Sequence, residues 1–235
     1  MRLDKFISTT TTLSRAEAKK VIKKGILIND KLIKSPDYKV DEINDQVILD
    51  GKRLVYQKYV YIMMNKPQDT ISATEDAIEK TVVDILKEED RIHKVFPVGR
   101  LDKDTEGLML LTNDGELAHR LISPKKDVVK KYYVEVSGEL KDEHLPIIEA
   151  GVTLEDGYKC KAAKLEILES SELESKANIY ITEGKFHQVK RMLEYVENEV
   201  VELKRVCIGN LNLDDSLKLG EYREITNSEL EEIFR

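Results

Sequence analysis

Four consecutive apolar residues, Leu108-Met109-Leu110-Leu111, lie between two clusters rich in glycine and acids, Gly99 to Gly107 and Thr112 to Gly115. A short apolar run bounded by turn formers reads as a buried strand. That strand must lie inside a sheet, and Asp102 and Asp104 must sit on the loop that enters it. A loop carboxylate held by a rigid scaffold is a candidate for chemistry. On pattern alone, a loop of solvated acids is the commoner outcome.

The rest of the chain divides around this segment. Leu3, Phe6 and Ile7 fall at helical spacing, and a second helix opens at Ser14, where Ser14 and Glu17 form a capping box that Gly25 later closes. Ile26 to Ile28, a turn at Asn29-Asp30-Lys31, and Leu32-Ile33 read as a hairpin. Val47 to Leu49 adds a strand, and the polar stretch from Gly51 to Lys58 reads as a linker. Beyond it we expect a strand at Tyr59 to Met64, stopped by Asn65-Lys66-Pro67. Further strands are expected at Tyr132 to Val136, Ala163 to Leu168 and Ala177 to Thr182. Helices are expected at Thr81 to Lys87, Gly115 to Ile122, from His187 and from Thr226. Val189, Met192, Leu193 and Val196 make one apolar helical face, opposite His187, Lys190, Arg191 and Glu194.

Charge separates the same two parts. The net charge of −7 argues by itself against nucleic acid, but residues 1–34 carry nine cations against three acids. That leaves the other 201 residues at −13. Phosphate binding depends on a local patch rather than on the total, so a basic first module on an acidic body suits a nucleic-acid reader. Charged residues make up 35% and hydrophobic ones 41%, as in a globular protein. No stretch approaches the ~20 apolar residues of a membrane span. The N-terminal residues lack a secretory signal. Cys160 and Cys207 stand apart without a CxxC partner, which fits a reducing compartment; a cytoplasmic location is expected.

Other chemistries find less support. Asp102, Asp104, Glu106 and Gly107 imitate the opening of an EF-hand calcium loop, but the twelfth position is Asn113 rather than a bidentate Glu. His93, His119, His144 and His187 show no paired spacing, and neither GxxxxGK[ST] nor GxGxxG occurs. No metal and no cofactor are expected. Gly184 to Arg191 is a turn leading into a helix with cations on its first polar face, a combination that favours anions, although an ordinary solvated face is the commoner outcome for a charge run.

Several segments together resemble one family. Residues 1–50, with R-L-D-K-F and S-R-A-E-A-K-K-V-I-K-K-G-I-L-I-N-D, resemble the S4 RNA-binding module. Met64 to Pro67, Gly99 to Gly115, Lys130-Lys131-Tyr132, Glu183 to Met192 and Ile208 to Thr226 resemble the small-ribosomal-subunit branch of the pseudouridine synthases. The resemblance implies an α+β protein. An S4-like RNA-binding domain at 1–58 would precede a synthase domain at 59–235, built on a mainly antiparallel mixed sheet flanked by helices. It implies an isomerase without cofactor or metal, acting as a monomer on ribosomal RNA in an assembling small subunit, away from membranes. The implied substrate is 16S rRNA, with uridine 516 as the candidate. A 23S rRNA uridine, or a non-catalytic S4-type assembly factor, is the alternative. A glycoside hydrolase using Asp102 and Asp104 is a weaker one.

Residue by residue, the resemblance makes Asp102 the catalytic aspartate, Tyr132 the ring that stacks on the target uracil, and Lys190 the cation paired with Asp102. Arg100 would fill the space left by the extruded base, and Lys66 would be structural or phosphate-facing. Arg2, Arg15, Lys19, Lys23, His187 and Arg191 would bind RNA.

Overall fold

The computed structural model describes residues 1–123 and 126–233. The chain falls into two compact units, Met1–Val60 with Leu86–Val95, and Tyr61–Ile85 with Phe96 onward.

In the first unit, α1 (Leu3–Thr10) and α2 (Arg15–Lys24) form where the apolar spacing places them. Both halves of the Ser14/Glu17 capping box are present, and Gly25 ends α2 at φ 117°. Asn29 and Asp30, at φ 48° and 60°, join β1 (Ile26–Ile28) to β2 (Lys31–Ile33). Two successive positive φ values make the primed turn that matches strand twist. The same device joins β3 (Val47–Leu49) to β4 (Lys52–Leu54) through Asp50 and Gly51, at φ 50° and 76°. The expected linker therefore begins with a strand, and Asp-Gly was its signal. The sheet runs β2-β1-β3-β4. Leu3, Phe6, Ile7, Ile22, Ile26 and Ile28 are buried beneath it. Each full burial of such a side chain contributes roughly 1.5–3 kcal/mol. α3 (Glu88–Arg91) belongs to this unit.

Among the described residues the second unit has nine strands. They are β5 (Tyr61–Lys66), β6 (Phe96–Pro97), β7 (Glu106–Thr112), β8 (Lys130–Ser137), β9 (Lys164–Ser170), β10 (Glu174–Ile181), β11 (Glu199–Ile208), β12 (Leu211–Asn212) and β13 (Tyr222–Glu224). The helices are α4 (Gly115–Ile122), α5 (His144–Glu149), α6 (Gln188–Glu194) and α7 (Asn227–Glu232). The order is β13-β5-β7-β11-β8-β10-β9, with β6 on β7 and β12 on β11. Among the described residues β7 and β11 pair in parallel and the other pairs are antiparallel. The mixed, mainly antiparallel sheet expected for the body is present.

Three details differ from the sequence reading. β5 starts at Tyr61 and keeps Asn65 and Lys66 inside it; Pro67, lacking an N–H, ends it. The helix expected at Thr81 to Lys87 is a single 3-10 turn, Val83–Ile85, because Lys87 turns extended (ψ 155°) before α3. The ten-residue β11 was not anticipated. Its register shifts at Val200/Glu202 and at Arg205/Cys207, so its buried positions do not alternate cleanly.

Gly107 is where β7 meets β11. It has φ 98°, and a Cβ there would lie 2.2 Å from the Arg205 carbonyl oxygen. Only glycine permits this approach, which fixes the strand directly behind the acidic turn. Gly107→Ala is expected to destabilise the protein by roughly 3 kcal/mol or more, read from thermal unfolding. An unchanged melting temperature would show that the two strands do not come so close.

Candidate active site

Asp102 opens a tight turn in which the Thr105 N–H donates to the Asp102 carbonyl (3.1 Å), and β7 begins one residue later. Two side chains fasten this turn from outside. Ser72 Oγ donates to the Leu101 carbonyl at 2.8 Å and accepts from the Leu101 N–H at 2.9 Å. Lys66, at the end of β5, is 0% exposed. Its ammonium donates to the carbonyls of Pro67 (3.0 Å), Lys103 (3.3 Å) and Thr105 (2.8 Å). The phosphate-facing alternative for Lys66 is therefore not met, since its charge points inward and is spent on main-chain oxygens. Burial pushes its pKa down to about 8, against the pull of Asp104, Asp102 and Glu106.

The turn borders an open cavity of about 750 Å³. Tyr132 enters it from β8, as the first of the inward row Tyr132, Val134 and Val136. Arg100 and Asp102 line it from the turn, and Gly184 to Val189 line it from the approach to α6. His187 Nε2 lies 3.7 Å from Asp102 Oδ1. Asp102, Tyr132, Arg100 and His187 thus share one cavity.

Lys190 has the expected partner and a second, closer one. Its Nζ is 3.8 Å from Asp102 Oδ2 but 2.6 Å from both carboxylate oxygens of Asp104. The ammonium bridges two acids of one turn, and the shorter contacts go to Asp104. Burial would raise the Asp104 pKa; the Lys190 hydrogen bond and charge more than offset this and hold it below the usual carboxylate range. Asp104 was singled out in the sequence, but not as the partner of Lys190. The other neighbours have left the calcium-loop pattern, since Glu106 and Gly107 already belong to β7.

The Arg191 guanidinium pairs with Asp156 at 2.8 Å. Glu183, buried beside it, accepts from the Tyr158 hydroxyl (2.6 Å), the Lys161 N–H (2.9 Å) and Gln188 Nε2 (2.8 Å). This carboxylate ties the 158–161 loop to the start of α6. Ser72 has no local signal for its role, because Leu101 lies 29 residues away, and Glu183 meets the 158–161 loop across 22 and 25 residues.

In the first unit, the buried Asp4 carboxylate accepts from Arg2 (3.1 and 3.2 Å) and from Arg15 (3.3 Å). The Arg2 hydrogen bond leads in holding the Asp4 pKa down at about 2. The two arginines are thereby fixed by one acid, while Lys19 and Lys23 stay exposed on α2.

Comparison with known proteins places this arrangement. The chain belongs to the RNA pseudouridylate synthase family, whose profile matches residues 60–195, and it carries an S4 domain at residues 1–47. It is 48% identical over 231 residues to the uncharacterized RNA pseudouridine synthase YtzG of Bacillus subtilis, covering 98% of this chain and 97% of that one. It is 39% identical to the ribosomal small subunit pseudouridine synthase A of Yersinia pestis, again covering 98% and 97%. A crystal structure of a pseudouridylate synthase superposes with a TM-score of 0.69 at 36% identity, over 99% of both chains. Among the described residues no helix is long and apolar enough to cross a membrane, and no group of three His, Cys, Asp or Glu side chains is placed to hold a metal.

The Lys66 clamp has a pH signature. Below about 8 its ammonium is charged in both the folded and unfolded states, so the cost of burying it is present in full. Between about 8 and the ordinary 10.5 the folded protein sheds the proton first, and that cost recedes. Wild type should therefore gain stability relative to Lys66→Met as pH rises from 7 to 10, measured by denaturant titration. A flat difference across this range contradicts the buried ammonium.

Proposed function

We propose that the protein isomerises a uridine of small-subunit ribosomal RNA to pseudouridine, with Asp102 as the catalytic carboxylate. The supporting observation is the convergence of Asp102, Tyr132 and Arg100 on one cavity, with His187 and Lys190 beside the carboxylate. The relatives named for the ribosomal small subunit favour 16S rRNA as the substrate, and uridine 516 is the candidate. The protein would work as a monomer in the cytoplasm, on RNA of an assembling subunit.

The reaction breaks the N1–C1′ bond, turns the uracil and joins C5 to C1′; the proton displaced from C5 leaves and one is taken up at N1. Formula and oxidation state are unchanged, so the reaction needs no redox partner or donated group. The Asp102 carboxylate has two routes, attack on the sugar carbon or removal of a sugar proton while cationic character builds. Both need an unstacked base. Extrusion costs a few kcal/mol, and an aromatic platform worth ~1–3 kcal/mol offsets it. Tyr132 supplies that ring from the cavity wall, and Arg100 takes the place vacated in the helix.

Lys190 keeps two roles open to one cation. It holds the turn through Asp104 and presents positive charge 3.8 Å from Asp102. A lysine supplies charge without the bidentate fork of arginine, which suits an ammonium shared between two carboxylates. The basic face of the first unit, with Arg2, Arg15, Lys19 and Lys23, would meet RNA phosphates.

The test uses a 16S rRNA transcript tritiated at uracil C5, whose label enters water as the new glycosidic bond forms. Wild type should release tritium, whereas Asp102→Asn should release none while binding the transcript with about the wild-type affinity. Release by the variant at the wild-type rate removes Asp102 from the chemistry.

A further inference from the structure

Beside this site, the rim of the cavity carries a feature that the chemistry at Asp102 does not use. Phe186 is 74% exposed yet lines the same cavity as Asp102 and Tyr132. Its ring stacks on the His187 imidazole, with centroids 3.8 Å apart and planes 17° from parallel. That imidazole is itself 3.7 Å from the Asp102 carboxylate.

A lone exposed apolar side chain needs no explanation, and Leu173, 85% exposed and outside the cavity, is such a case. Phe186 differs in three respects. It stands at the cavity, it presents a π face, and its backbone is built to hold it there. His187 adopts φ 49° and ψ 33°, a left-handed conformation unfavourable for a residue with a Cβ. Such strain persists only where the surroundings impose it. Here the Gln188 N–H donates to the Lys185 carbonyl (3.1 Å), the Lys185 N–H donates to Gln188 Oε1 (2.9 Å), and Gln188 Nε2 is anchored on Glu183 (2.8 Å). Lys185 Nζ rests over the Tyr158 ring at 4.5 Å. The turn is fastened at both ends, and its tip holds an aromatic ring in water.

We infer that the Phe186–His187 stack is a second base platform, which receives the RNA base next to the extruded uridine. The inference rests on RNA as the substrate of the Asp102 cavity. A nucleotide beside an extruded base has lost one stacking neighbour, and an aromatic face substitutes for it whatever the base's identity. Exposure rises from Asp102 and His187 to Phe186, so the platform lies toward solvent from the carboxylate, where a neighbouring base would sit. His187 acts here as a positioning residue, covering one face of Phe186 and fixing its plane.

The test compares wild type with Phe186→Ala, Phe186→Leu and Phe186→Tyr. Leucine keeps the apolar bulk but not the π face, and tyrosine keeps the ring; exposure at 186 leaves the fold insensitive to all three. Two measurements are made: steady-state pseudouridine formation on an unmodified 16S rRNA transcript, and fluorescence-anisotropy binding of a labelled single-stranded 12-nucleotide RNA. The alanine and leucine variants should raise KM and Kd about 10-fold, more than any fall in kcat, and tyrosine should restore both. Leucine or alanine matching wild type within about twofold in both assays overturns the platform and leaves the Asp102 reaction standing. Wild type that forms no pseudouridine, while RNA affinity still follows ring content at 186, overturns the proposed reaction and leaves the platform standing.

Discussion

A single buried ammonium organises the acidic turn. Lys66 buries its charge completely and uses it on three main-chain carbonyls, two of them in the turn that carries Asp102 and Asp104. Removing such a donor leaves buried carbonyls unpaired, at about 1–3 kcal/mol for each. The cost of burying the charge is visible in its depressed pKa. Loops fray readily, and a carboxylate that must meet a reacting atom within a fraction of an ångström needs support of this kind. The clamp supplies it from β5, the strand paired with β7.

The remaining supports converge on the same few residues from different elements. Gly107 lets β11 approach the base of β7, Ser72 holds Leu101, and Lys190 reaches down from α6 to bridge the two acids. Glu183 then fixes the turn before α6, which carries His187 to the opposite side of Asp102. The cavity is thus a junction of strand ends and loops held by separate polar contacts. Its lining carries Arg100, Lys103 and Lys185 against Asp76 and Asp102, a local excess of positive charge on an acidic body.

Much of this was legible in the sequence where the signal is local. The capping box at Ser14/Glu17, the start of α7 after Thr226, the limits of α4, and the apolar face of α6 all depend on residues within one or two helical turns. β4 follows a readable Asp-Gly turn, but its polar residues resemble a linker. β11 was hidden for a physical reason: two register shifts break its alternation, and it is rich in charged side chains. The side-chain geometry of the site was the least legible part. Lys66 meets carbonyls 37 and 39 residues away, and Lys190 meets Asp104 across 86 residues. No periodicity encodes such pairs. The motif resemblance pointed to Asp102, Tyr132 and Lys190, but only folding shows that Lys190 favours the second acid of the turn and that Lys66 faces inward.

In the proposed reaction one carboxylate, fixed by the clamp, rearranges a base flipped out of ribosomal RNA. Its most direct measurement is a pseudouridine map of the ribosomal RNA from cells lacking this gene, compared with their parent. The account predicts that one small-subunit uridine loses its modification and that the others keep theirs. A map identical to the parent's, with every pseudouridine still in place, would contradict it.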